Sequence, residues 1–265
     1  MSEPLPDPRP KPGFSLPLSR QRLIELGVVV FGVLIALGLD NLVQEVRLRG
    51  DAHELEKAFK DDIGAALENG LERQVVAPCQ VQALSALTER VVASEGSMEA
   101  APASQTGNLV FAMSQPYRSP VRLWTTSTFD RALGTEAFKR IPRERADAYS
   151  ALFSQIEMGR ENNAAEYLAA AGLAPLAYAQ NEMNVEVRAE LLQNLALLDR
   201  QQALTLLMSS QFIEAAMSSP AGDDIRAELL AHQSEMGEAG ARWKAIYGDC
   251  VDLGAIDRLL EMAAL

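Results

Sequence analysis

The longest apolar stretch in the chain runs from Leu26 to Leu39, fourteen residues without a charged or polar side chain. Traced back to Leu23 it is broken only by Glu25. Seventeen helical residues at about 1.5 Å each span roughly 26 Å, enough to cross a thin hydrocarbon core with help from flanking residues. Three readings fit this segment. An all-round apolar helix is also what a protein core contains. Arg20 and Arg22 before the run, with Ala36-Leu37-Gly38 near its end resembling a small-x-small cleavage site, fit a cleaved signal peptide. A retained signal anchor over 23–43 is favoured, because the helical pattern continues through Asp40, Val43 and Val46 without a turn residue.

Beyond the anchor the apolar positions take helical spacing. Leu48, Ala52, Leu55, Phe59, Ile63, Ala66 and Leu71 recur at three- and four-residue steps, defining an amphipathic helix. A break at Pro78 is expected, followed by a second helix with Cys79, Leu84, Leu87 and Val91 on one face. Ser94 to Gly107, rich in Ser, Ala and Gly, reads as a loop and the most protease-sensitive stretch. Pro116 and Pro120 mark an irregular segment before a helix over Val121–Leu133, which offers Trp124 and Phe129 to the core.

Pro142 opens a long helix to about Ala171, with Tyr149, Leu152, Phe153, Ile156 and Tyr167 inward and Gly172 and Pro175 as the stop. Another long helix runs from Asn184 to Met217 with Leu191, Leu195, Leu198, Leu206 and Phe212 inward, ended by Ser218 to Gly222. Asp223 caps a helix reaching Tyr247, and Ile256, Leu259, Leu260 and Met262 form the last. The expected fold is all-α: an N-terminal transmembrane helix followed by an antiparallel helical bundle.

Residues 1–18 hold Pro4, Pro6, Pro8, Pro10, Pro12 and Pro17, which prevent helix there, within a Pro-rich tail over 1–22. Four basic residues lie in the fifteen positions before Leu23 and two in the fifteen after Leu39, a bias that places the tail in the cytoplasm. Residues 44–265 then form an extracytoplasmic domain. After residue 45 the chain carries 20 basic and 31 acidic side chains, net −11, which disfavours nucleic-acid binding. The two cysteines, Cys79 and Cys250, lie in no CxxC or Cys/His cluster. In a translocated domain they can form one disulfide, while two buried free thiols remain the alternative.

The run Glu25-Leu26-Gly27-Val28-Val29-Val30-Phe31-Gly32-Val33-Leu34-Ile35-Ala36-Leu37 resembles the N-terminal signature of an uncharacterised family of bacterial single-pass membrane proteins. That signature is a Glu, a valine-rich stretch and Gly-Ile-Leu-Ile-Ala-Leu, usually followed by a Gln, an Asn pair and a Trp. Here Gly38, Asp40-Asn41 and Leu42 stand in the later positions. A charged helix such as Arg47–Asn69 and a mid-chain segment like Thr126–Tyr149 extend the likeness loosely. The resemblance implies a bacterial inner-membrane protein with a periplasmic domain and supplies no activity.

Catalytic, metal and cofactor chemistry has no local support. His53 and His232 have no second histidine at ligand spacing. Glu54, Glu56, Asp61 and Asp62 spread around a surface helix without calcium-loop glycine spacing. No Gly-x-Ser-x-Gly, Gly-x-Gly-x-x-Gly or Gly-Lys-Ser occurs, and Ser127 has no identifiable base. Two surfaces retain interest. Glu25, Gly32 and Ala36 share one face of the anchor, a packing seam for a homodimer or a partner membrane protein. Arg118, Arg122, Trp124, Arg131, Arg140 and Arg143 form a basic, aromatic region that would receive an anion or an acidic partner, or else pair locally with Glu136, Glu144 and Asp147. The expected function is a non-enzymatic interaction or accessory component of a membrane complex; the alternative is a sensor of a small anionic ligand.

Overall fold

The computed structural model describes residues 20–103, 115–120 and 122–265. Residues 1–19 of the expected tail and residues 104–107 of the 94–107 loop lie outside them. The described chain is all-α apart from one short strand pair. It divides after Gly50 into two units.

The first unit is helical from Arg20 onward, the beginning of α1 (Arg20–Ala93). Its side chains from Ile24 through Leu39 are all exposed, and its most apolar 18-residue window has mean hydropathy 2.3 with 0% of it buried. A buried core helix is therefore not what this stretch forms within the chain.

The second unit, Asp51–Leu265, is built on three long helices: the rest of α1, α3 (Arg143–Ala171) and α4 (Val185–Ser218). Their core positions follow steps of three and four. On α4 the inward series is Leu191, Leu195, Leu198, Gln202, Thr205, Ser209, Phe212 and Ala216. Asn184 caps α4, its side chain accepting the Val187 N–H at 2.9 Å. Contacts of Asn162 with Thr205 and of Gly172 with Asn194 show α3 and α4 antiparallel. Glu56 to Arg145 and Arg73 to Glu166 show α1 and α3 running parallel, because the connection after α1 returns along the bundle.

That connection contains β1 (Gly96–Met98), α2 (Ser127–Ala132) and a 3-10 turn at Phe138–Arg140. β1 pairs antiparallel with β2 (Gln180–Met183), a contact the loop-like composition did not announce. The two short segments lack alternating patterning, and Met98 and Met183 both sink into the core. After α4 come α5 (Gly222–Ala231), α6 (Gln233–Tyr247) and α7 (Gly254–Ala263). Gly240 allows the close approach of α6 to α7: a Cβ there would lie 2.7 Å from Ile256 Cδ1.

Four expectations are corrected. α1 does not break at Pro78. The missing N–H leaves the Gln74 carbonyl without its helical donor, yet neighbouring carbonyls are tied from outside. The Asp252 N–H bonds Val75 C=O at 2.8 Å and Gln202 Nε2 bonds Ala77 C=O at 3.3 Å. A Cys79–Cys250 disulfide with a Cα separation of 5.0 Å holds the same level.

The helix expected from 121 starts only at Ser127. Arg73 Nη2 holds the Pro120 carbonyl at 2.7 Å and Asn69 holds that of Leu123 at 3.1 Å, while Arg122 grips Glu72. These bonds fasten the backbone as a strap against α1. The helix expected from Asp223 to Tyr247 is interrupted at His232, whose N–H (3.1 Å) and ring Nδ1 (2.9 Å) both approach the Glu228 carbonyl. Tyr167 is exposed, and its neighbour Glu166 takes the inward position at 0% exposure.

The core has two apolar halves. One gathers Phe59, Ile63, Leu67, Phe129, Tyr149 and Phe153, among others, with Phe129 and Phe153 stacked at 4.6 Å. The other gathers Leu84, Leu87, Val91, Leu173, Leu195 and Leu198. On the long helices a polar layer lies between them: Glu72, Arg73 and Gln80 on α1, Asn162 and Glu166 on α3, and Gln202, Thr205 and Ser209 on α4.

Candidate functional site

The polar layer is organised around one buried ion pair. Arg73, 3% exposed, donates Nη1 to both carboxylate oxygens of Glu166 at 2.7 Å. Its other amino group reaches the Pro120 carbonyl and Asn163 Oδ1. Glu166 also accepts from Ser119 Oγ at 2.6 Å and from Thr205 Oγ1 at 3.2 Å, so both oxygens are engaged more than once. Beside it Arg122 makes a two-pronged contact with Glu72, Nε at 2.5 Å and Nη2 at 2.7 Å. Burial pushes the Tyr247 phenol up to about 12, with Glu72 adding to the rise and Arg118 and Arg122 opposing it. Burial likewise raises the Tyr117 phenol, helped by Glu166.

The six residues of the basic region fall in different settings. Arg118 lies 5.7 Å over the Tyr247 ring and Arg122 is committed to Glu72, so these two meet the same phenol. Trp124 is a core residue whose ring covers Gly159, where a Cβ would come within 3.1 Å of it. Arg131, Arg140 and Arg143 are exposed on α2, the 3-10 turn and the start of α3, and Arg143 approaches Asp147 at 3.7 Å. Lys139 pairs with Glu136 at 2.6 Å, as the local-pairing reading expects. Glu25, Gly32 and Ala36 are exposed in the first unit, and a Cβ at Gly32 would meet nothing within 4 Å.

Sequence reasoning missed a groove between α1, α5 and α6. It has about 400 Å³ of open volume, within the range of small-molecule sites. The chain is interrupted at His232 between α5 and α6, both of which line the groove, and Gly64 and Ala65 keep the facing wall of α1 low. Leu67, Leu71, Ile225, Leu229, Met236 and Trp243 form the apolar floor. Exposed Asp61, Glu68, Glu228 and Glu235 stand around it with Arg242 and the half-buried Lys60, whose ammonium lies 3.4 Å from Asp224. His232 at the rim is held above its ordinary value by the Glu228 carbonyl first and Glu235 next.

Among the described residues no group of three or more His, Cys, Asp or Glu side chains converges as a metal site would. Comparison with protein-family models, with curated proteins and with solved structures finds no match.

Proposed function

We propose that the chain is a bacterial inner-membrane protein, held by the helix around Ile24–Val43, that presents its second unit in the periplasm as a non-enzymatic interaction or accessory component. The observation that carries this reading is the apolar window of mean hydropathy 2.3, none of it buried by the rest of the chain. An exposed face of that size has a lipid interior as its natural partner. The Cys79–Cys250 disulfide supports an oxidising compartment for the second unit.

Support for a binding role over a catalytic one comes from the buried carboxylates. Glu72 and Glu166 are engaged by Arg122, Arg73, Ser119 and Thr205, which fasten the strap and the three long helices to one another. Groups so engaged are structural fixtures. The likeness of the Glu25–Leu37 run to the bacterial anchor signature fits the same placement. Fusions of alkaline phosphatase and of green fluorescent protein after Ala52 test the topology: phosphatase activity with no fluorescence is expected, and the reverse pattern refutes the periplasmic placement.

A further inference from the structure

The groove beside His232 combines two properties that the rest of the surface does not explain. Its floor is apolar side chains contributed by three helices, so water within it has few partners. Its rim holds four carboxylates, Asp61, Glu68, Glu228 and Glu235, against Lys60 and Arg242, and the Lys60 charge is already met by Asp224. Counting His232 as charged still leaves the carboxylates in excess. Fields from like charges around a low-dielectric wall add, and they favour a positive group at the mouth.

We propose that this groove is a binding site for a small organic cation: an apolar body seated on the Leu67, Leu71 and Trp243 floor, with its ammonium group among Glu68, Glu228 and Glu235. A primary or quaternary amine fits the rim's chemistry. A carboxylate- or phosphate-bearing molecule would be repelled by it, so the charge preference is opposite to that expected from the arginine-rich segment. The groove lies wholly within the second unit and is independent of the membrane placement proposed above.

Gly64 provides the decisive substitution. A Cβ there meets nothing within 4 Å, and the residue lines the groove, so Gly64→Leu fills the cavity without pressing on the core. The full chain is reconstituted in zwitterionic nanodiscs, with empty discs as the blank. Binding of phenethylammonium, phenylacetate and phenylethanol, which share one aromatic body, is measured by equilibrium dialysis. Phenethylammonium is expected to bind saturably and at least about tenfold tighter than phenylacetate. Gly64→Leu is expected to weaken it by about tenfold or more with an unfolding midpoint no lower than the parent's, since leucine is a better helix former than glycine. The Glu68→Gln/Glu235→Gln pair is expected to weaken the ammonium several-fold and leave phenylethanol unaffected. Absence of saturable binding, equal affinity for ammonium and carboxylate, or undiminished binding in Gly64→Leu each overturns the proposal. So does competition only by a basic amphipathic peptide, which would make the groove a protein-docking surface.

Discussion

The buried Arg73–Glu166 pair makes the most exacting energetic prediction. Arg73→Met keeps an unbranched apolar stem but removes the guanidinium that contacts both Glu166 oxygens at 2.7 Å and the Pro120 carbonyl at 2.7 Å. Glu166, with no exposed surface, then keeps only the Ser119 and Thr205 hydroxyls among the described residues. Stranding a buried charge in this way costs about 3–5 kcal/mol, a large part of the roughly 5–15 kcal/mol by which a domain is stable. Glu166→Leu strands Arg73 and is expected to cost a similar amount. The double substitution removes both charges and their desolvation together, so its cost falls well below the sum of the singles, with a coupling of about 2 kcal/mol or more.

Guanidinium unfolding of the full chain in micelles, followed by Trp124 and Trp243 fluorescence, reads all four corners of the cycle, since both indoles belong to the same half of the core. Singles within about 1 kcal/mol of the parent, or singles that add in the double, would refute the assignment of the layer as an interdependent unit.

Further predictions rest on separate features. Replacing both Cys79 and Cys250 with Ala frees a loop of 171 residues of sequence separation; the chain-entropy relation gives a loss of about 5 kcal/mol, read as a lower midpoint in the same titration. Pro78→Ala restores the helical N–H on α1 and is expected to raise stability by no more than about 3 kcal/mol, because outside donors already hold Val75 and Ala77; a loss would show that the proline is required. The Asp224 carboxyl is held below its ordinary value, chiefly by the Arg145 hydrogen bond and also by Lys60. Its stabilising contribution is therefore present above the unfolded carboxylate range and lost as pH falls through its folded value, so Asp224→Asn should flatten that acid limb of a midpoint-versus-pH curve. Cysteines placed singly at Gly32 and Ala36 should give disulfide-linked dimers or heteromers in native membranes, whereas a scan with no product at either position counts against the seam.

Much of the bundle was readable from periodicity, for physical reasons visible in particular residues. Asn184, Pro142 and Gly172 punctuate α3 and α4 because cap and stop chemistry is local. The polar layer was overlooked although its signal was present. Gln202, Thr205 and Ser209 continue the three- and four-residue steps of Leu191, Leu195 and Leu198, and polar residues at core positions of such a series mark a buried network. What could not be read is the partner each would meet: Arg73 and Glu166 lie 93 positions apart, and only the parallel run of α1 and α3 joins them. The same limit hid the strap. Leu123 and Pro120 look helix-compatible or irregular on their own, and Asn69 and Arg73 decide the matter from another element. The groove lies beside a helix interruption at His232, whose ring meets a backbone carbonyl, and no apolar pattern encodes that.

The exposed apolar helix and the disulfide of the second unit imply one placement, and the state of the two thiols in living cells measures it most directly. Cells expressing the full chain are quenched in acid, denatured and treated with a maleimide-polymer reagent, with and without prior reduction. No modification before reduction and two additions per chain after it are expected, because Cys79 and Cys250 are joined as in the structure. Two additions without reduction would contradict it, showing the unit held where thiols stay reduced.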